Sequence, residues 1–223
     1  MSKKYSSEHL FVKTFSLGTY LQGGVGHQHV ILAHGAGAGM HHEFMQRQAE
    51  ALISQGFKVS LFEYAYMQTI TATGKRRPPT RVSELMLEHY QWINFLAQDD
   101  YVWLMGKSMG GRLSSLLAQD VLPSQVQGWC ALGYPFHPVK KPHQLRVEHL
   151  MGNRLPGLII QGSRDALGNQ QEVELYQLPN SIKLHWLSHM DHSFKPYKQA
   201  PLTLQQAIKQ SAIWFKQWSQ AQI

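Results

Sequence analysis

Short apolar runs alternate along this chain with segments whose apolar residues recur every three or four positions. The runs predict strands at 10–15, 19–22, 29–33, 58–62, 101–105, 126–132, 157–161 and 182–187. The helical spacing predicts helices at 44–53, 82–96, 113–117 and 204–218. Several strands are almost wholly apolar, as expected of parallel strands covered by helices on both faces. The pattern therefore predicts one doubly wound, mostly parallel α/β domain over residues 1–223, with no separate cap domain in the gap at 62–82.

Ligands in such folds bind beyond the carboxyl ends of the strands, so the residues after each strand matter most. The strand at 101–105 leads directly into Gly106-Lys107-Ser108-Met109-Gly110, a G-x-S-x-G motif followed by a helical pattern. Such a sharp strand-to-helix turn strains the serine backbone, and side chains at the two glycine positions would collide across it. The helix N-terminus adds free N–H groups and a positive dipole end. The context favours Ser108 as a nucleophile over an inert serine in a glycine-rich turn.

A second glycine-rich segment, His-Gly-Ala-Gly-Ala-Gly at 34–39, follows the strand at 29–33. Acyl transfer develops negative charge on a carbonyl oxygen, and two backbone N–H groups can stabilise it. We expect one from Met109 and the other from Ala36, with Gly35 as the next candidate. A nucleotide-binding loop is the alternative, but the spacing is G-x-G-x-G rather than G-x-G-x-x-G. His34 is interpreted as an anchor of this loop.

An acid and a base are expected after two later strands, in the chain order serine, acid, histidine. Asp165 stands just past the strand at 157–161, and His192 lies in the loop after the strand at 182–187. A neutral imidazole can take the serine proton, while the carboxylate fixes its tautomer. His189 competes with His192 for the role of base, and the sequence favours His192 because it lies deeper in the loop. His185 falls within the strand and is expected to pack there.

Metal and redox chemistry find little support in the sequence. His41 and His42 adjoin each other, but no third ligand stands at a recognised spacing, so they are interpreted as helix-start residues and no metal site is predicted. Cys130 is the one cysteine, which excludes an intrachain disulfide. Serine-based acyl transfer requires no cofactor, and none is predicted.

Composition and charge narrow the class of protein further. Hydrophobic residues make up 43% and charged residues 16% of the 223 residues, as in globular proteins. The formal net charge is +7, but basic residues are scattered and Lys75-Arg76-Arg77 is the one dense run, so nucleic-acid binding is weighed and not expected. No apolar run approaches the length of a membrane span, and the first residues lack a signal-peptide pattern. A cytoplasmic location is therefore expected.

Five stretches together resemble a known group, the small uncapped α/β-hydrolases related to the dienelactone hydrolases. The stretches are His34-Gly35-Ala36-Gly37, Gly106-Lys107-Ser108-Met109-Gly110-Gly111-Arg112, Leu132-Gly133-Tyr134-Pro135-Phe136-His137-Pro138, Gln161-Gly162-Ser163-Arg164-Asp165 and Asp191-His192-Ser193-Phe194. They are most similar to a subgroup with testis-expressed hydrolase-like proteins and the hydrolase-like subunit of a histone acetyltransferase complex. The resemblance implies the triad Ser108, Asp165 and His192. It departs from the dienelactone hydrolases proper, whose nucleophile is a cysteine, which puts dienelactone in doubt as a substrate.

These observations predict a serine hydrolase that cleaves a small-molecule carboxylic ester, or a thioester or amide, through an acyl-enzyme on Ser108. The alternative is a non-catalytic protein-binding module on the same scaffold, since fold does not fix function and some members of the subgroup act as protein-binding subunits. Long loops at 62–82 and 134–145 are expected to form walls of the site. Five residues in or beside them are candidate substrate contacts: Tyr134, Phe136, His137, Arg76 and Arg77. The sequence leaves the natural substrate and the oligomeric state open.

Overall fold

The computed structural model describes residues 6–99 and 101–223, which build one eight-stranded sheet. In chain order the strands are β1 (Phe11–Phe15), β2 (Gly18–Gly23), β3 (Gln28–Ala33), β4 (Lys58–Phe62), β5 (Tyr101–Lys107), β6 (Val126–Leu132), β7 (Gly157–Gly162) and β8 (Ile182–Leu187). The spatial order is β1-β2-β4-β3-β5-β6-β7-β8. β2 pairs antiparallel with β1 and β4, and the remaining pairs are parallel. The predicted mostly parallel α/β fold is confirmed.

Helices cover both faces of this sheet. They are α1 (Glu43–Ser54), α2 (Ala65–Thr73), α3 (Val82–Leu96), α4 (Met109–Leu117), α5 (Gln170–Val173) and α6 (Leu204–Gln220), with a 3-10 helix at Glu148–Gly152. Local capping explains two of the starts. His42 accepts a hydrogen bond from the Phe44 N–H at the start of α1, and Thr203 forms a capping box with Gln206 at the start of α6.

The apolar core forms two layers, one on each face of the sheet. Alternating residues of β3 point to opposite faces, so Val30 and Leu32 pack with α1 and α6, whereas Ile31 and Ala33 pack with α2, α3 and α4. All four side chains are fully buried. The near-continuous apolar strands of the sequence therefore have their physical origin in burial on both faces.

Helix α2 occupies part of the segment expected to be a loop, and this is a correction. It buries only two of its side chains, Tyr66 and Met67, and is otherwise rich in threonine, so its apolar period is weak. Gly74 ends the helix in the left-handed conformation, at φ 71°. The basic run at 75–77 follows this cap in irregular chain.

Strand register brings the glycine-rich segment and the G-x-S-x-G motif together. Ala33 at the end of β3 pairs with Gly106 of β5, and Lys107 of β5 pairs with Leu132 of β6. The turns after β3, β5, β7 and β8 consequently meet at one edge of the sheet, where the candidate site lies.

Candidate active site

Ser108 sits on a tight turn between β5 and α4 with φ 51° and ψ −110°, a conformation that a non-glycine residue adopts only under constraint. A Cβ at Gly106 would overlap the backbone of Gly110. A Cβ at Gly110 would lie 2.6 Å from the carbonyl oxygen of Ala33, so the second glycine is required by the end of β3 rather than by the turn alone. This packing holds the Ser108 side chain out at the strand ends.

The structure brings Ser108, His192 and Asp165 into one hydrogen-bonded chain. His192 Nε2 lies 2.8 Å from Ser108 Oγ, and His192 Nδ1 lies 2.7 Å from Asp165 Oδ2. Asp165 is fully buried, and its carboxylate also accepts hydrogen bonds from the Leu167 N–H at 2.8 Å and from Gln161 Nε2 at 2.9 Å. These bonds compensate for its desolvation and fix its orientation. The geometry allows the serine hydroxyl to donate to an imidazole whose far side is held by the carboxylate.

The competing histidines lie elsewhere. His189 lines a neighbouring cavity with Arg164 and Tyr197, and its backbone N–H donates to Ser163 Oγ at 2.8 Å. His185 stacks on Trp214 with ring centroids 4.8 Å apart. The structure therefore places His192 within hydrogen-bond distance of Ser108, and His189 away from it.

The buried ring of His34 orients the loop beside Ser108. Its Nε2 accepts the Tyr64 N–H at 3.2 Å, so the neutral ring carries its proton on Nδ1 and donates to the Gly35 carbonyl oxygen at 2.7 Å. Burial lowers the pKa of His34 to about 4, which keeps the ring neutral near pH 7. In a trans peptide the N–H points opposite to the C=O, so the Ala36 N–H is directed away from the His34 ring. This orientation favours Ala36 as an oxyanion donor.

Two further groups complete the surroundings of the expected oxyanion position. The Tyr66 hydroxyl donates to the Ala36 carbonyl oxygen at 3.1 Å and fixes the next peptide of the loop. Met109 is the first residue of α4, and the first N–H groups of a helix have no acceptor within it. Gly35 lies against the turn that carries Ser108, since a Cβ there would be 3.7 Å from the Ser108 Cβ.

Lys107, the residue before Ser108, reaches the loop after β8 that carries His192, the histidine loop. Its Nζ donates to the His192 carbonyl oxygen at 2.6 Å and lies 5.9 Å and 5.6 Å from the ring centroids of Phe44 and Phe194. Desolvation lowers the pKa of Lys107 to about 8, against the opposing attraction of Asp165 and Asp191. The sequence contains this lysine within the G-x-S-x-G motif, but no pattern in the sequence predicts a role for it.

A cavity of about 640 Å³ opens beside Ser108. Its lining is Gly35, Gly37, Ala38, His42, Glu43, Phe44, Met45, Arg47, Lys107, Ser108, His192, Ser193, Lys195, Pro196 and Leu204. The start of α1, the loop after β8 and the first residue of α6 thus form its walls, which no single stretch of sequence indicates.

A comparison with protein families shows which group has this architecture. Residues 26–220 match the family model described as "Alpha/beta hydrolase domain". The chain belongs to this family. In the part of this α/β hydrolase that the structure describes, no helix is long and apolar enough to cross a membrane, and no cluster of three or more His, Cys, Asp or Glu side chains could hold a metal ion.

Solved structures share the fold at low sequence identity. A dienelactone hydrolase from Anabaena variabilis ATCC 29413 is 20% identical with a TM-score of 0.66, covering 97% of this chain and 100% of that one. Est1E from Butyrivibrio proteoclasticus is 11% identical with a TM-score of 0.68, covering 96% and 99%. A monoacylglycerol lipase from Paleococcus ferrophilus is 14% identical with a TM-score of 0.65, covering 96% and 99%. These likenesses extend over almost the whole α/β hydrolase.

The expectation that Tyr134, Phe136 and His137 contact substrate does not fit their placement, because all three side chains are buried. Tyr134 donates its hydroxyl to the Arg146 carbonyl oxygen at 2.8 Å, and burial raises its pKa to about 12. Phe136 packs edge-to-face on Tyr134 at 4.8 Å, and His137 Nδ1 lies 2.9 Å from the Pro138 carbonyl oxygen. None of the three lines the cavity at Ser108, so they stabilise the loop after β6 instead.

The backbone of Tyr134 nevertheless supports the site through Gln161. The Gln161 amide accepts the Tyr134 N–H at 2.6 Å and donates to the Tyr134 carbonyl oxygen at 3.1 Å, while the same Nε2 reaches Asp165. Gln161 is fully buried near the end of β7, and the one sequence signal that could have singled it out is its position as a polar residue in an apolar strand.

Arg76 and Arg77 also lie away from the cavity, and this corrects the second group of expected substrate contacts. Both side chains are exposed in the irregular segment after α2. The cations that line the cavity are instead Arg47, Lys107 and Lys195. The expected wall at 62–82 is absent from the lining because α2 packs behind the glycine-rich loop through Tyr66.

Proposed function

We propose that this α/β hydrolase is a serine hydrolase that cleaves a carboxylic ester through an acyl-enzyme on Ser108. The observation that carries the proposal is the pair of short contacts from His192, 2.8 Å to Ser108 Oγ and 2.7 Å to Asp165 Oδ2. Nucleophile, base and orienting acid in hydrogen-bond contact are the arrangement that activates a serine. The proteins of similar structure include an esterase domain from Rhodothermus marinus and the monoacylglycerol lipase, which is consistent with the proposal.

The geometry supports a two-stage acyl transfer. Ser108 Oγ attacks the ester carbonyl carbon while its proton passes to His192 Nε2, and Asp165 stabilises the imidazolium. The negative charge on the carbonyl oxygen is taken up by the N–H groups of Met109 and Ala36, each worth roughly 3 kcal/mol of barrier. Collapse breaks the ester C–O bond, and the alcohol leaves with the His192 proton. Water, deprotonated by His192, then attacks the acyl-enzyme and releases the carboxylic acid and Ser108.

Several finer expectations accompany this proposal. Thioesters and amides carry the same reacting carbonyl and are further candidate substrates. From the motifs we infer a place near the subgroup with testis-expressed hydrolase-like proteins, one domain over residues 1–223, and a cytoplasmic location. The alternative of a non-catalytic protein-binding module requires no reactive Ser108, so activity of that residue separates the two.

Hydrolysis of p-nitrophenyl acetate tests the proposal. The wild type should release p-nitrophenol, and Ser108→Ala should lower turnover by roughly 10⁴-fold or more, since the nucleophile has no substitute. Ser124→Ala, at an exposed serine before β6, is the matched control and should match the wild type. Comparable turnover in Ser108→Ala would contradict the assignment.

A further inference from the structure

The cavity beside Ser108 is mainly apolar away from the reacting atoms. Phe44 and Met45 of α1, Ala38 of the glycine-rich loop, Pro196 of the histidine loop and Leu204 of α6 contribute carbon surface to its walls. Ser108 and His192 line the same cavity. A molecule that presents a carbonyl carbon to Ser108 can therefore place an attached group against these walls.

Of the three cations that line the cavity, Arg47 and Lys107 contact partners within the protein, and Lys195 is exposed to solvent. Arg47 Nε lies 2.7 Å from the Glu43 carboxylate, one turn along α1. Lys107 donates to the His192 carbonyl oxygen and lies over two aromatic rings. Lys195 is exposed at the surface. A substrate carboxylate would have to compete with these contacts, whereas an aliphatic chain would only displace water from carbon surface.

We propose that this cavity binds an aliphatic chain attached to the scissile ester, so that the substrate class is esters with chains longer than acetyl or methyl. The proposal rests on the serine-hydrolase function proposed above. A volume of about 640 Å³ lies within the range of small-molecule sites, roughly 300–1,000 Å³. His192 and the glycine-rich loop both line the cavity. The lining therefore fits an aliphatic group on either side of the ester, and that group belongs to the acyl part or to the alcohol part of the substrate.

Two series of esters distinguish the acyl source from the alcohol source. The first lengthens the acyl chain, as p-nitrophenyl acetate, butyrate and hexanoate, and the second lengthens the alcohol, as ethyl, butyl and hexyl acetate. Each methylene buried on carbon surface contributes about 0.8 kcal/mol, or up to roughly fourfold in kcat/KM. The cavity is open on one side, so each added methylene is only partly buried. We therefore expect kcat/KM to rise at least about tenfold from the shortest to the longest ester of one series.

A charge at Leu204 tests whether the gain arises in this cavity. Leu204→Glu places a carboxylate in the apolar wall, and an acidic residue in the first turn of α6 is compatible with the helix dipole and with folding. Ile213→Glu is the matched control, since Ile213 lies on the same helix with the same 37% exposure and does not line the cavity. The ratio of kcat/KM for the longest to the shortest ester should fall by about tenfold in Leu204→Glu and stay unchanged in Ile213→Glu.

A gain in either series that Leu204→Glu removes supports the proposal and identifies the source of the chain. If kcat/KM does not rise with chain length in either series, or if the rise persists in Leu204→Glu, the cavity proposal is overturned. This holds even if p-nitrophenyl acetate is cleaved through Ser108. If no ester is cleaved, the proposed function fails, and binding tests the cavity separately. Calorimetry with hexanoate and 1-hexanol against butyrate and 1-butanol should then show tighter binding of a longer chain, lost in Leu204→Glu. Equal binding at both lengths would overturn the cavity proposal as well.

Discussion

The Lys107 ammonium donates a hydrogen bond to the His192 carbonyl oxygen across 2.6 Å, which ties the residue before Ser108 to the residue proposed as the base. Its Nζ is so closely enclosed that a Cβ at Gly133 would approach it to 2.8 Å. The contact joins the end of β5 to the loop after β8, 85 positions away in the chain, and we expect it to position His192 relative to Ser108.

Removal of this contact should slow the chemical step. Lys107→Met keeps the length and packing of the side chain and deletes a hydrogen bond to a charged donor, worth about 1.5–3 kcal/mol. We expect kcat for p-nitrophenyl acetate to fall roughly 10- to 100-fold with a smaller change in KM. Lys183→Met, at an exposed position of β8, is the control and should match the wild type. A Lys107→Met enzyme with unchanged kcat would show that the contact does not position His192.

The same contact predicts a loss of activity at alkaline pH. The pKa of Lys107 is about 8, below the usual value for lysine, so its charge is lost as the pH rises through about 8. A neutral amine holds the His192 carbonyl oxygen less strongly than an ammonium does. The pH profile of kcat should therefore decline above about pH 8 in the wild type. The same decline in Lys107→Met would assign it to another group.

Tyr66 offers a test of the glycine-rich loop that leaves the triad untouched. Tyr66→Phe removes the hydroxyl that donates to the Ala36 carbonyl oxygen and loosens the peptides expected to bind the oxyanion. Loss of one neutral hydrogen bond is worth about 1 kcal/mol, so kcat should fall roughly fivefold while KM changes less. Tyr90→Phe on α3 provides the control. A change in KM without a change in kcat would indicate that the loop binds the substrate before reaction and does not stabilise the oxyanion.

The close packing of Gly111 against β6 predicts that Gly111→Ala lowers the free energy of unfolding. A Cβ at Gly111 would lie 2.6 Å from the Ala131 Cβ on β6, so Gly111→Ala must push α4 away from the sheet. We expect urea unfolding to show a loss of about 1–3 kcal/mol. Gly37→Ala is the comparison, because a Cβ there meets no heavy atom within 4 Å and should cost little stability. Equal stability of the two variants would contradict this account of the packing.

The sequence predicted the sheet because strands buried on both faces leave near-continuous apolar runs. It also placed Ser108, Asp165 and His192 in the segments that follow strands, and the structure brings these three residues within hydrogen-bond distance. The prediction of substrate contacts in the loop after β6 was wrong. Gly133, at φ 68°, precedes a segment whose side chains are buried, and nothing in the sequence distinguishes that burial from a place beside the substrate.

The cavity beside Ser108 could not be predicted from the sequence for a different reason. Phe44, Pro196 and Leu204 come from three separate segments, and their convergence depends on the packing of α1 against α6. Helix α2 escaped prediction because its apolar period is short and weak. Lys107 escaped because its partner is a backbone oxygen 85 positions away, which no spacing rule indicates.

Labelling with a fluorophosphonate probe, followed by digestion and mass spectrometry, measures whether Ser108 is an activated nucleophile. The probe reacts with a serine hydroxyl only when a base activates it. We expect stoichiometric modification of Ser108 in the wild type, loss of labelling in His192→Ala and retention in His189→Ala. An unmodified Ser108 in the folded protein, or labelling that persists without His192, would contradict it.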